Sequence, residues 1–185
     1  MSRKYKFRDQ TVPHFITITL VQWIDLFTRT KYSEFLIDQF KHCQKHKGLL
    51  IYAWCIMPSH VHMIIGTCDS DMQDILRDLK TFTSKNLYEM VKSNKQESRR
   101  EWLLRFFREA GKMNGNNKHI QVWQQHNHPL EMRGNSKIQR CVDYIHMNPV
   151  VAGYVLRPEN WKWSSARNYV EGRRDGLIML EELIY

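Results

Sequence analysis

LLIYAWCIMPSHVHMIIG, residues 49–66, sets out most of the architecture. Residues 49–57 are an apolar run rich in β-branched and aromatic side chains, and 60–66 are a second such run, separated from the first by Pro58-Ser59. Two short strand-like runs joined by a tight turn predict an antiparallel hairpin. Side chains two apart on a strand share a face. His60, His62 and Ile64 therefore fall on one face, and Val61, Met63 and Ile65 on the other. The second face is wholly apolar and belongs against helices. The first carries two imidazoles, which are costly to bury without partners.

Working outward, HFITITL (14–20) alternates Phe15, Thr17, Thr19 against Ile16, Ile18, Leu20 and reads as a strand. Residues 32–48 place Phe35, Leu36, Phe40 and Cys43 at helical spacing, with Ser33 as a cap and Gly48 as a stop. Residues 70–91 predict the longest helix. Ser70 and Gln73 form a capping box there, and Met72, Ile75, Leu76, Leu79, Phe82, Leu87 and Met90 form its apolar stripe. The stretch 92–120 is rich in Lys, Arg, Asn and Gly, with a short helix in RREWLLRFFREAG and a loop in KMNGNNKH. IQVWQQ (120–125) reads as a strand, and SKIQRCVDYIHMNP (136–149) as a helix ended by Pro149. The order predicts an α+β fold, a ferredoxin-like β-α-β-β-α-β antiparallel sheet with helices on one face. A further helix carrying Tyr144 lies on the C-terminal side, and one domain spans residues 1–185.

Lys and Arg number 28 against 19 Asp and Glu, a net charge of +9. That balance points to a polyanionic partner, nucleic acid first, with a basic enzyme lacking such a partner as the alternative. The four cysteines form no C-x-x-C pair, which argues against a zinc cage and for free thiols in a reducing cytoplasm. MSRKYKFRDQTVPHF has no apolar signal-peptide core, and no apolar run is long enough to span a bilayer. A cytoplasmic protein with no membrane partner is expected.

On one strand face, His60 and His62 stand at a separation that one divalent ion bridges. The alternative is two polar residues on a solvated sheet face. His42 and His46 lack the glutamate of a zinc-protease helix and read as surface; His126 and His128, in QHNHP, read as loop. In the last helix Ile138, Cys141, Val142 and Ile145 form the buried stripe. Tyr144 and Asn148, four apart, share an adjoining face where both meet one ion or phosphate. The alternative there is a tyrosine packed at a helix boundary.

MPSHVHMII followed downstream by VDYIHMNPVVAGYV resembles the single-tyrosine HUH transposases, which include those of small insertion sequences and the REP-associated tyrosine transposases. The likeness runs from about residue 12 to 170 and takes in FTSK, VWQQ and WSSARNY. It implies that His60 and His62, with Asn148 as a third ligand, hold a divalent metal, Mg²⁺ or Mn²⁺, and that Tyr144 is the nucleophile. The implied activity is cleavage and rejoining of single-stranded or hairpin-flanked DNA through a 5′-phosphotyrosine link. Lys80, Lys85, Lys137, Arg140 and Arg167 are the candidate DNA contacts, beside aromatics suited to base stacking. Ser59 stands where relatives commonly carry Asn, a change expected to alter the turn and leave the chemistry alone; residues 92–118 look longer than in compact relatives. Relatives act as monomers or as homodimers that exchange tyrosine helices, and both geometries stay open. Three rival readings are a domesticated hairpin-DNA-binding protein, a replication-initiation or relaxase-type nuclease, and a small-molecule metal hydrolase using the His-x-His pair.

Overall fold

A computed structural model describes residues 7–115 and 119–183. The first six residues of the basic N-terminal stretch, and 116–118 of the KMNGNNKH loop, lie outside them. Strand β1 (His14–Thr19) leads into helix α1 (Thr30–Lys47), then the hairpin β2 (Leu49–Ile56) and β3 (His60–Thr67). Helices α2 (Met72–Ser93) and α3 (Arg100–Lys112) follow, then β4 (Leu130–Glu131), α4 (Asn135–Val151) and the short α5 (Ala166–Glu171). The sheet order is β2-β3-β1-β4, with every neighbouring pair antiparallel. That is the ferredoxin-like order expected from the sequence. Among the described residues no helix is long and apolar enough to cross a membrane.

The Pro58-Ser59 turn is closed by the Met57 N–H donating to the His60 carbonyl at 2.8 Å. Strand β3 is central, and its alternation divides the core. Val61, Met63 and Ile65 pack with Ile16, Ile18, Ile51 and Trp54 under α1 and α2. Ile64, with Ala53 and Cys55, faces the other way and packs against Ile138, Val142 and Ile145 of α4. Helices therefore cover both faces: the expected helical layer on one, and the tyrosine-bearing helix on the other.

Several local expectations are corrected. Helix α1 begins at Thr30 and carries no side-chain cap; Ser33 is buried inside it and donates to the Phe27 carbonyl at 3.2 Å. Gly48 does end it, in the left-handed conformation at φ 69°. The cap of α2 is Asp71, not Ser70: its carboxylate accepts from the backbone N–H groups of Gln73 and Asp74. A charged oxygen serves better here than the hydroxyl one residue earlier. Phe82 leaves the apolar stripe of α2 and stands exposed, and Thr83 and Val91 are buried in that helix.

Residues 120–125 are not a regular strand. The segment tracks the edge of β1 through one bridge, Leu20 to Trp123, and through the Thr17 N–H donating to the Asn127 carbonyl at 3.1 Å. Regular pairing resumes at Leu130 and Glu131. His128 at φ 44°, followed by a proline with no N–H, breaks the ladder between these points. Pro149 does not end α4, which runs on to Val151. With a single turn left, the lost bond to the Ile145 carbonyl costs little of the helix.

His14 begins β1 on the core side and is buried. Its Nδ1–H donates to the Val12 carbonyl at 2.9 Å, and Nε2 finds no partner among the described residues. Burial holds this imidazole below its ordinary 6.5. The unfolded chain therefore binds this proton more readily than the folded one. The stability His14 confers is complete above that ordinary value and is lost as pH falls below it. His14→Leu is expected to lower the slope of unfolding free energy between pH 7 and 5, by up to about 1.4 kcal/mol per pH unit, in urea titrations. An unchanged or steeper slope would show that His14 is not one of the groups making the fold acid-labile.

Candidate active site

The register of β1 against β3 sets Thr17 opposite His62 and Thr19 opposite His60. Alternation then places Phe15, Thr17 and Thr19 on the same face as the two histidines. Thr17 Oγ1 shares a hydrogen bond with His62 Nδ1 at 2.9 Å, and Ser59 Oγ shares one with His60 Nδ1 at 3.1 Å. Each ring is thus oriented through Nδ1 by a neutral hydroxyl. The two ring centroids lie 4.6 Å apart. Phe15 stacks on His62 with ring centroids 5.5 Å apart and helps to fix its plane.

Helix α4 brings the second half of the site. Tyr144, 53% exposed, sets its ring edge-to-face against His62 at 5.2 Å, and the Asn148 side chain is a polar neighbour of His60 that favours its protonated form. The i, i+4 pair read from the sequence therefore meets both histidines, and does so within one chain. Burial drives His60 down to about 4, against the neighbouring Asn148 side chain, which acts the other way. Burial and then the neighbouring His60 drive His62 to about 3. Both rings are neutral at physiological pH, the state in which imidazole binds a metal. Among the described residues no three His, Cys, Asp or Glu side chains are arranged to hold an ion. The donor set here is instead two imidazoles and an amide. It fits a divalent cation that keeps positions open for phosphate oxygens, since the Nδ1 atoms are engaged and no carboxylate competes.

The candidate DNA contacts separate. Lys80 is turned inward: its ammonium donates to the Gln124 carbonyl at 2.5 Å and to Asn127 Oδ1 at 2.8 Å, and burial lowers it to about 8. It pins the 124–127 segment to α2, so a phosphate reaches it only if those bonds break. Lys85, Lys137, Arg140 and Arg167 are exposed. Lys137 also donates to the Glu131 carbonyl, and Arg167 to that of Glu159.

Four contributors escaped the sequence reading. Thr17 and Phe15 were placed on one strand face, but only the pairing register shows that it is the histidine face. Ser59 was expected to affect the turn alone, yet its hydroxyl touches His60. Trp23 gave no signal at all. Its ring lies 5.2 Å from His60, and it and Gln22 hold φ of 56° and 52°. Each such backbone costs on the order of 1–3 kcal/mol for a residue other than glycine. The turn is imposed by its flanks: the Leu20 N–H donates to the Ser59 carbonyl and the Val21 N–H to that of Val122, both at 2.9 Å, while Val21 and Ile24 are buried.

Known proteins resemble this chain in sequence and in fold. The family model described as "Transposase IS200 like" matches residues 13–118, which include the histidine strand and stop short of α4. A Haemophilus influenzae protein named as a REP-associated tyrosine transposase is 27% identical over 155 residues, 82% of this chain and 78% of that one. The solved structure of a REP-associated tyrosine transposase bound to a REP hairpin superposes with a TM-score of 0.66 at 19% identity, covering 100% of this chain and 94% of that one. At that identity the likeness concerns the fold.

Thr17→Val keeps the side chain's shape and removes the hydroxyl on His62. The fold is expected to lose about 1 kcal/mol, while Mn²⁺ affinity falls by about tenfold or more, read by calorimetry. Equal affinity in the two proteins would remove Thr17 from the site.

Proposed function

The chain belongs to the IS200-like transposase family, and from that premise we propose that it cleaves and rejoins single-stranded DNA beside hairpins. In this reading Tyr144 is the nucleophile, and His60, His62 and Asn148 hold Mg²⁺ or Mn²⁺. The observation that carries it is the convergence of Tyr144 on His62, and of Asn148 on His60, within one chain. A phenol is a weak nucleophile at neutral pH. The bound cation would polarise the scissile phosphate and offset the charge that develops on it. Neutral ligands leave that cation its full charge.

Tyr144 Oη attacks phosphorus. An Oη–P bond forms as the P–O3′ bond breaks, the phenol proton is released, and the departing oxygen takes up a proton as a 3′-OH. The DNA stays linked through its 5′ phosphate, and a later 3′-OH reverses the step to join strands without another energy source. Phe15 and Thr17 hold the His62 ring, and Ser59 holds that of His60. The net charge of +9 and the exposed Lys85, Lys137, Arg140 and Arg167 suit a DNA partner. The hairpin in the related solved complex supports a hairpin-flanked substrate.

Wild-type protein given single-stranded substrate and Mg²⁺ is expected to form an adduct that withstands boiling in detergent and maps by peptide mass spectrometry to Tyr144. Tyr144→Phe removes only the hydroxyl and keeps the ring, so it is expected to retain DNA affinity within about twofold and to form no adduct. A free 5′-phosphate product with no adduct at any time would overturn the mechanism and favour hydrolysis by water.

Affinity for a hairpin with an unpaired flank is expected to exceed that for plain duplex and to fall steeply with salt, as phosphate contacts require. Equal affinity for any duplex in a salt titration would indicate a general DNA-coating protein.

A further inference from the structure

We propose that Trp23 is the stacking platform for an unpaired base beside the scissile phosphate, and so a determinant of single-strand selectivity; this rests on the function proposed above. Trp23 is 59% exposed, although a large apolar ring is ordinarily withdrawn from water. The turn that presents it holds two consecutive non-glycine residues at positive φ. Its backbone is stitched to the Pro58-Ser59 turn, one residue before His60, and its ring meets His60 edge-to-face. A costly backbone is thus spent on holding an indole in solvent at the rim of the site. The core does not use it: Val21 and Ile24 on either side are the buried residues of this turn.

A flat indole beside a phosphate-binding centre has one obvious complement in a nucleic acid, the face of a base. Every base has such a face, so stacking tolerates sequence. A base in a duplex has both faces covered by its neighbours and cannot offer one. The same ring would therefore favour a strand whose base is splayed out next to the phosphate under attack. The competing role is shielding of His60, in which the ring protects the metal ligands and never touches DNA.

The test is a double-mutant cycle on the full chain. Wild type and Trp23→Leu are titrated, in EDTA to prevent cleavage, with a hairpin carrying an unpaired flank. The same hairpin is then used with an abasic site at each flank position in turn. Wild type is expected to lose about tenfold in affinity at one position, about 1.4 kcal/mol, within the range for one stacked base. Trp23→Leu is expected to bind the intact hairpin about tenfold more weakly and to lose nothing further at that position. Trp23→Phe should restore most of the coupling. Losses that add at every position, or Trp23→Leu binding like wild type, would overturn the platform. So would a Trp23→Leu protein that loses Mn²⁺ affinity while the DNA coupling is absent, which is the shielding result. An intact coupling with no Tyr144 adduct would leave the platform standing and overturn the nucleophile; an adduct with no coupling would do the reverse.

Discussion

The parity of one strand governs everything else. In β3 the period of two sends Val61, Met63 and Ile65 into the apolar layer under α1 and α2, and His60, His62 and Ile64 to the opposite face. A slip of one residue would exchange the sets and bury two imidazoles among aliphatic side chains, with no hydroxyl to meet them. The register is held from both sides. Strand β1 pairs along six positions, and β2 pairs across the closed Pro58-Ser59 turn, with an irregularity beside Tyr52. What makes the sheet stable is thus also what orients the site. His62 is only 5% exposed, and its tolerance of that burial depends on Thr17, which the register delivers.

Helix α4 completes the site because it too has a fixed rotation. Ile138, Val142 and Ile145 lie on Ile64, Ala53 and Cys55 and determine which side faces the sheet. His146, beyond them, is tied to β2 through Ser165. Its Nε2 meets Ser165 Oγ at 2.8 Å, and that oxygen also accepts the Trp54 N–H at 3.0 Å and donates to the Trp54 carbonyl at 3.2 Å. One hydroxyl is used to its full capacity of one donor and two acceptors. The helix is therefore gripped on the flank away from Tyr144. Tyr144 and Asn148 are left projecting toward the histidines, and Tyr144 stays half-exposed where a substrate can reach it.

Much of this was legible in the sequence, for reasons that can be named. Alternation in 60–66 and 14–20, and helical spacing in 72–91 and 138–145, are short-range periodicities, and the sheet and its helices follow from them. The Tyr144–Asn148 pairing is an i, i+4 relation and needs no tertiary knowledge. Four features needed it. The fourth strand reads as 120–125 but lies at Leu130–Glu131, because the pairing of 121–131 with β1 is intermittent and broken by one positive-φ residue, His128. Lys80 reads as a surface cation until the 124–127 carbonyls are seen around it. The Thr17–His62 bond spans 45 residues and exists only in the correct register. The turn at Gln22 and Trp23 carries no glycine to announce its backbone, since its flanks impose it.

Electrostatics divides the labour in a way that the composition alone conceals. The chain carries +9, yet the candidate site is built from neutral groups: two imidazoles that burial keeps uncharged, an amide and two hydroxyls. A site lined with carboxylates would bind a divalent ion tightly and would also repel the phosphate that must approach it. A neutral site repels nothing, and it leaves the ion uncompensated until phosphate oxygens supply the missing charge. In the function proposed here, cation and DNA therefore favour each other's binding, a coupling that acts equally in both directions. In the same reading the surface lysines and arginines would raise the local concentration of DNA whatever its sequence. The choice among DNAs would then fall to what a bare strand alone can present, a phosphate reachable by Tyr144 and a base free of its stack.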